Sequence, residues 1–402
     1  MEKDRMYGPA VRACFIGYVV QAISVDLTPL FFVIFSKQYG MSYSMIAAVI
    51  FCGFAAQMCA DIFAGHFFDR LGCRAAGIIS HAFVLCGLIL LGVLPIILPQ
   101  SCICYGIMAA VIVAQIGGGM IEVFVNPLID AIPQKGRSVR AKLSFLHSFS
   151  CVGHVSVVIL TEAVLFLTHE ALWMLIPIVW AAVPALNLVL FCTVPLPDSG
   201  FSDGESETRI TDRKLSRGYF VLLLIIIATG GAAEQGMTQW ISAYAETGLG
   251  ISKLAGDMLG PCLYALFMGI SRTLYGIFSD RIPLGSAMLC SGFACTVCYI
   301  AAALSPIPAV SLAACSLTGF AAGLMWPGSF ALAAELYPHG GASVSGRLAL
   351  FGDIGCTLGP WLIGAVSSRL DMGGGFLTAA LFPALFTVSV FIMNRIRGGR
   401  GK

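Results

Sequence analysis

The stretch DIFAGHFFDR (Asp61–Arg70) returns in the second half of the chain as RTLYGIFSDR (Arg272–Arg281), each with a glycine four residues before Asp-Arg. A second correspondence pairs DAIP (Asp130–Pro133) with ELYP (Glu335–Pro338). Beyond each proline stands Ser-Val, at Ser138-Val139 and Ser343-Val344, and then a cation, Lys142 or Arg347. Several matches in one order argue for two parallel repeats, with a pathway expected between them.

Composition says what the repeats are made of. Of 402 residues, 58% are hydrophobic and only 11% charged, with mean hydropathy +0.90. A soluble domain carries about 25% charged residues. Apolar runs long enough to cross a hydrocarbon core of about 30 Å recur along the chain. Lipid cannot satisfy exposed backbone groups, so such runs are helices. Spans are expected near 11–36, 43–66, 75–98, 103–130, 141–167, 171–194, 218–245, 254–279, 285–304, 308–335, 343–368 and 374–395. The fold class is therefore an all-α membrane protein of twelve spans in two pseudo-symmetric six-helix bundles. Residues 1–194 form the first bundle, 195–217 a polar cytoplasmic linker, and 218–402 the second bundle.

Charge sets the orientation. If the two termini are cytoplasmic, nineteen of the 23 lysines and arginines fall on that side. Lys37, Lys253 and Arg369 face out, and Arg272 lies within a span. The asymmetry predicts an integral protein of the cytoplasmic membrane with N- and C-termini inside. The opening run holds Gln21 and Asp26 and is too long for a cleaved signal peptide, so it reads as the first span. The 15 cysteines are scattered without metal-ligand spacing and read as small apolar filler. No cofactor or metal is expected.

The fourth span carries GGGMIEVFVNPLIDAIP (Gly117–Pro133), with an acid and an Asn-Pro pair in an apolar helix. Gln115, Gly119, Glu122 and Asn126 recur at steps of four, three and four, hence on one face. A charged carboxylate at that depth costs about 2.5–3.5 kcal/mol on insertion scales, so it faces water or a partner. Pro127 cannot donate to the Val123 carbonyl, which predicts a kink and an open acceptor. Carboxylate, amide and carbonyl together suit a hydroxyl-rich or cationic ligand; the alternative is a polar packing stripe.

Other spans supply companions. Asp26 stands in the first, near Tyr18, Gln21 and Thr28, and the seventh carries Glu234, Gln235, Thr238, Gln239, Trp240 and Ser242. His147 and His154 lie in the fifth span, and Glu162 farther toward the outside. His147 serves equally as a proton shuttle or an interhelical hydrogen bonder. Arg272 is read as the electrostatic partner of an acid such as Asp353 or Glu335, and Asp61 as doing the same in its own half. Trp240 and Trp326 can stack on a sugar ring or simply pack between helices. Trp173, opening the sixth span, reads as an interfacial anchor.

GHFFDRLGCR (Gly65–Arg74) resembles the signature loop of the major facilitator superfamily, G-x-x-x-D-R-x-G-R-[RK], with Cys73 at the first arginine of that pattern. After the eighth span Asp280-Arg281 remain, followed by IPLG, a degenerate second copy. The resemblance implies a cytoplasmic latch that includes Asp69, Arg70, Asp280 and Arg281. Within the superfamily, Glu122–Pro127 (E-x-x-x-N-P) resembles the fourth span of the fucose permease family, sugar–proton symporters. LSFLHSFSCVG (Leu143–Gly153) is similar to that family's fifth span, with Ser144 in place of its asparagine, and GRLALFGDIGCTLGP (Gly346–Pro360) to its eleventh. The resemblance implies proton-coupling and substrate roles for Asp26 and Glu122.

The expectation is a secondary active transporter working by alternating access, a proton-coupled symporter of a sugar or similar small polar solute. Candidate solute contacts are Gln21, Gln115, Asn126, His147, Glu234, Gln235, Gln239, Trp240 and Trp326. Asp61, Asp69, Arg70, Arg272, Asp280, Arg281 and Asp353 form the candidate charge network. A sodium-coupled sugar carrier and a proton-driven exporter of amphiphilic or cationic compounds are the rivals. A receptor is a third reading, though the repeats with central acids do not require it. No HExxH or P-loop motif appears and no soluble catalytic domain is present, so an enzyme is not expected. Partners are the solute, the proton and the bilayer, with no nucleic acid, and the chain is expected to act as a monomer.

Overall fold

The computed structural model describes residues 7–132, 139–196, 215–278, 281–337 and 341–398. Of residues 65–71, 130–131, 139–144, 215–217, 341–343, 345 and 398 it describes only the backbone. Twelve helices are long and apolar enough to cross a membrane. In chain order they are α1 (Gly8–Tyr39), α2 (Tyr43–Ala64), α3 (Gly72–Ile97), α4 (Gln100–Ile129), α5 (Phe145–Thr168) and α6 (Leu175–Thr193). Then come α7 (Gly218–Gly248), α8 (Lys253–Phe278), α9 (Leu284–Leu304), α10 (Pro308–Leu336), α11 (Gly346–Ser367) and α12 (Met372–Arg397). These agree with the spans expected from hydropathy to within a few residues. The chain divides into two compact units, Met1–Ser202 and Asp203–Lys402. Most of the linker expected at 195–217 lies outside the described residues.

The repeat extends to a turn that the motif comparison missed. α1 ends at Gly40, in the left-handed region at φ 66°, and Met41 N–H returns to the Phe35 carbonyl at 3.4 Å. After α7, Gly250 has φ 65°, and Ile251 N–H returns to the Ala245 carbonyl at 3.0 Å. A bond from the residue after a left-handed glycine to the carbonyl six back is the Schellman stop, and glycine takes that conformation without a Cβ clash. Gly40-Met41-Ser42 and Gly250-Ile251-Ser252 thus make the same reversal in each unit. Ser42 then caps α2 by accepting from Met45 N–H.

Within the first unit, polar bonds tie spans that are distant in sequence. His81 Nδ1 lies 2.7 Å from the Gly77 carbonyl, which can only accept, so this nitrogen carries the hydrogen. His81 Nε2 is then the acceptor for Asn187 Nδ2 at 2.8 Å, and Asn187 Nδ2 also donates to the Ala13 carbonyl at 3.0 Å. Both side chains are fully buried, so α1, α3 and α6 share one network, in which Asn187 Oδ1 alone has no hydrogen-bond partner among the described residues. Arg74 caps the end of α6 by donating to the carbonyls of Phe191, Cys192 and Val194, groups a helix terminus leaves unserved.

Trp173 departs from its expected role. It precedes α6 rather than opening it, because His169 and Glu170 adopt positive φ and the chain turns before Leu175. Its ring is fully buried against Phe31 and Phe35, each at 5.4 Å, and its Nε1–H donates to Gln38 Oε1. It is a plug, not an interfacial anchor.

In the second unit α11 lies directly on α7. A Cβ on Gly355 would fall 1.9 Å from the Ala228 carbonyl oxygen, and one on Gly359 2.2 Å from that of Ala232. Such small-residue contacts let apolar helices associate where lipid offers no hydrophobic drive. Gly359→Leu is therefore expected to lower the thermal unfolding midpoint in detergent, by an overpacking cost of about 1–3 kcal/mol or more. Gly346→Leu, where nothing lies within 4 Å, serves as the control and is expected to leave the midpoint in place.

Candidate functional site

Each unit holds its own polar constellation. In the first, Asp26 ends the regular helix Gly8–Asp26, and Pro29 follows within the 3-10 turn Thr28–Phe31. Proline cannot donate back along the helix, so the chain tightens just past the acid. Asp26 Oδ2 lies 3.1 Å from His154 Nδ1 on α5, with side chains 9% and 10% exposed. His154 was not among the residues expected to form the site. Its signal was a second histidine in a span facing an acid that needs a partner, but a pairing between α1 and α5 is not legible from either helix alone.

Two turns earlier on α1, Tyr18 donates its hydroxyl to Asn126 Oδ1 at 2.8 Å. The Tyr18 ring meets His147 edge-on, with centroids 5.0 Å apart. Two expected solute contacts, on α4 and α5, are thereby drawn to one aromatic residue of α1. Gln21 is half-buried and its carbonyl accepts from Ser24 Oγ. Glu122 is half-buried on α4, while Gln115, two turns away, is 4% exposed. The helix Ile103–Ala131 runs on through Pro127 rather than ending there. Asp61 lies against α4, where a Cβ on Gly119 would come within 2.3 Å of its Oδ1.

In the second unit, Arg272 Nη2 lies 3.0 Å from Glu234 Oε1, with side chains 11% and 12% exposed. Arg272 Nε also donates to the Gly323 carbonyl at 3.1 Å. The sequence explains why that carbonyl is open: Pro327 occupies the position whose N–H would otherwise take it, and α10 breaks between Ala322 and Met325. The expected partner was an acid such as Asp353 or Glu335, and an acid, Glu234 on α7, holds the guanidinium together with the freed carbonyl; Glu335 pairs with Arg397 at 2.9 Å, and Asp353 is buried on α11 at 7% exposure. Tyr264 and Thr238 hydroxyls donate to the Glu234 backbone carbonyl and fix this turn of α7. Glu234 Oε2 and Gln235 Oε1 are buried with no hydrogen-bond partner among the described residues.

The two tryptophans separate. Trp240 has no exposed surface, and its Nε1–H donates to the Pro360 carbonyl at 2.8 Å. No face of it remains for a sugar, so the packing reading replaces the stacking one. Trp326 is half-buried with its ring over Gly231 and Gly352, where a Cβ on Gly352 would lie 2.5 Å away, and Phe330 beside it. Gln239 is 3% exposed. Of the expected latch, Arg281 is exposed, while Asp280 and the side chains of Asp69 and Arg70 lie outside the described residues. Among the described residues no group of three or more His, Cys, Asp or Glu could hold a metal.

No curated protein matches the sequence. Solved structures match its fold throughout. The D-xylose–proton symporter gives a TM-score of 0.77 at 13% identity, covering 96% of this chain and 97% of that one. A mutant of the nucleoside transporter NupG gives 0.73 at 16%, with 96% and 98% covered. The fucose–proton symporter FucP of E. coli gives 0.65 at 14%, with 96% and 99% covered. At these identities the likeness is one of fold. The sequence itself matches the family model of the Major Facilitator Superfamily over residues 14–360 and 259–400, and the chain belongs to that superfamily.

Proposed function

We propose that the protein is a secondary active transporter that carries a sugar or similar small polar solute together with protons by alternating access. The observation supporting this most directly is the Asp26–His154 contact, two titratable groups 3.1 Å apart, each about nine-tenths buried within membrane-length helices. Carboxylate plus imidazolium is neutral, and loss of one proton leaves a single buried negative charge. The charge of the site thus follows proton occupancy by one unit. Glu122 is the second coupling acid. Gln21, Asn126 and His147 in the first unit, with Glu234, Gln235, Gln239 and Trp326 in the second, are the proposed solute contacts.

Structures of the same fold include proton symporters of xylose and fucose, which favours this solute class. The termini face the cytoplasm in this reading, as the cation distribution suggests. One proton moving inward gains about 2.3 kcal/mol per 100 mV. At about 1.4 kcal/mol per decade this sustains roughly 50-fold accumulation, so one coupled proton is energetically sufficient.

The test is proton flux in proteoliposomes challenged with hexoses, deoxyhexoses, amino sugars and nucleosides. A transported solute is expected to alkalinise the outside with the wild type and not with Glu122→Gln. Uptake that follows sodium at fixed pH, or transport seen only outward from the cytoplasmic face, would replace symport with one of the rival mechanisms.

A further inference from the structure

The exposed positions of α12 share one face. Leu381, Leu385, Val388, Phe391, Ile392 and Ile396 lie outward, each between 41% and 54% exposed, at helical steps of one, three and four. Such a face on a membrane-length helix suits acyl chains rather than water. One charged group interrupts it near its C-terminal end. Arg395 is exposed on the same face, with its Cζ 5.2 Å from the centroid of the Phe391 ring. Stacking on that ring orients the guanidinium.

α9 runs antiparallel beside α12. Asn394 Nδ2 donates to the Gly285 carbonyl at 2.9 Å, and two turns on a Cβ at Gly292 would meet Thr387 Oγ1 at 2.6 Å. The outward face of α9 is apolar too, at Phe293, Val297, Ile300 and Leu304. Its N-terminal end is not: Ser286 and, just before the helix, Arg281 are exposed. Arg281 stands four residues before Gly285, and Arg395 is next to Asn394, so both cations sit at the same end of the seam. Arg397 is already paired with Glu335, whereas among the described residues neither Arg281 nor Arg395 has an ion-pair partner. Around this end the sequence carries five cations, Arg281, Arg395, Arg397, Arg400 and Lys402, against two acids, Asp280 and Glu335.

We propose that the seam between α9 and α12 binds an anionic phospholipid, its acyl chains along the two apolar faces and its phosphate held by Arg395 and Arg281. A guanidinium fork matches phosphate oxygens two at a time, and basic pockets between membrane helices suit anionic headgroups. A phosphatidylcholine headgroup carries its own cation beside the phosphate, which the two arginines repel. The site lies apart from both polar constellations described above. It goes beyond the transport reading and does not depend on it.

The experiment is native mass spectrometry of the full chain in detergent, with phosphatidylglycerol or phosphatidylcholine of matched acyl chains added. The wild type is expected to retain phosphatidylglycerol about tenfold more tightly, or better. Arg395→Gln and Arg281→Gln are each expected to weaken that retention about fivefold and leave phosphatidylcholine unchanged. Arg395→Lys keeps the charge without the fork and is expected to fall between. Arg12→Gln, which removes an exposed cation at the start of α1, is expected to change nothing. Equal retention of the two lipids by the wild type overturns the proposal, as does undiminished retention by Arg395→Gln. An equal loss with Arg12→Gln would mean diffuse attraction without a site and overturns it as well. A dimer that dissociates on Arg395→Gln would give this face to a second copy of the chain instead of a lipid.

Discussion

Asp26→Asn is expected to abolish proton-driven accumulation of solute while leaving counterflow exchange at equal solute concentrations in place. Asparagine keeps the volume and a hydrogen-bonding oxygen beside His154, so packing around the 3.1 Å contact survives. What disappears is the charge whose neutralisation links proton binding to passage of the occupied site through the membrane interior. Accumulation in proteoliposomes under an imposed potential should fall from roughly 50-fold per 100 mV, the limit for one charge, to the equilibrium ratio of one. His154→Gln, which leaves the acid without its imidazole, should shift the pH profile of uptake rather than uncouple it. An Asp26→Asn protein that still concentrates solute would assign coupling elsewhere.

Arg272→Leu should damage the second unit more than any surface change. It strips Glu234 Oε1 of its cation and leaves the Gly323 carbonyl, already deprived of a donor by Pro327, without its guanidinium. Breaking one side of a buried ion pair costs about 3–5 kcal/mol, because the remaining charge stays buried. Arg272→Leu combined with Glu234→Leu should recover much of that loss, since replacing a whole buried pair with apolar groups is often neutral. Unfolding midpoints in detergent for the two single variants and the double variant give the coupling energy directly. Arg272→Lys should rescue only in part, as an ammonium lacks the rigid fork that reaches carbonyl and carboxylate together. Equal midpoints for wild type and Arg272→Leu would show that the pair carries no structural weight.

The helices were legible because lipid permits few alternatives: a long apolar run must be helical, and turn residues must punctuate it. The inventory of intramembrane polar residues was legible for the same reason, since each is costly where it stands. Their pairings were not. Asp26 with His154, and Arg272 with Glu234, join helices whose rotation about their own axes is set by packing, such as Gly355 and Gly359 against Ala228 and Ala232. Sequence spacing fixes the face of one helix and says nothing of which neighbour that face meets. That Arg272 partners an acid was legible, but Glu234 was missed in this way, since the Pro327 break that opens the Gly323 carbonyl acts locally. Trp240 failed similarly, because flanking glutamines suggested a polar setting whereas its indole N–H is consumed by the Pro360 carbonyl.

The matched reversals at Gly40 and Gly250 bear on descent. A doubled ancestral gene would have passed the same stop signal to each copy, and a left-handed backbone tolerates few replacements there. The interior chemistry has had no such restraint, with acid and imidazole in one copy and acid and guanidinium in the other. Drift can thus exchange the cargo-reading groups while the architecture that holds them is inherited intact.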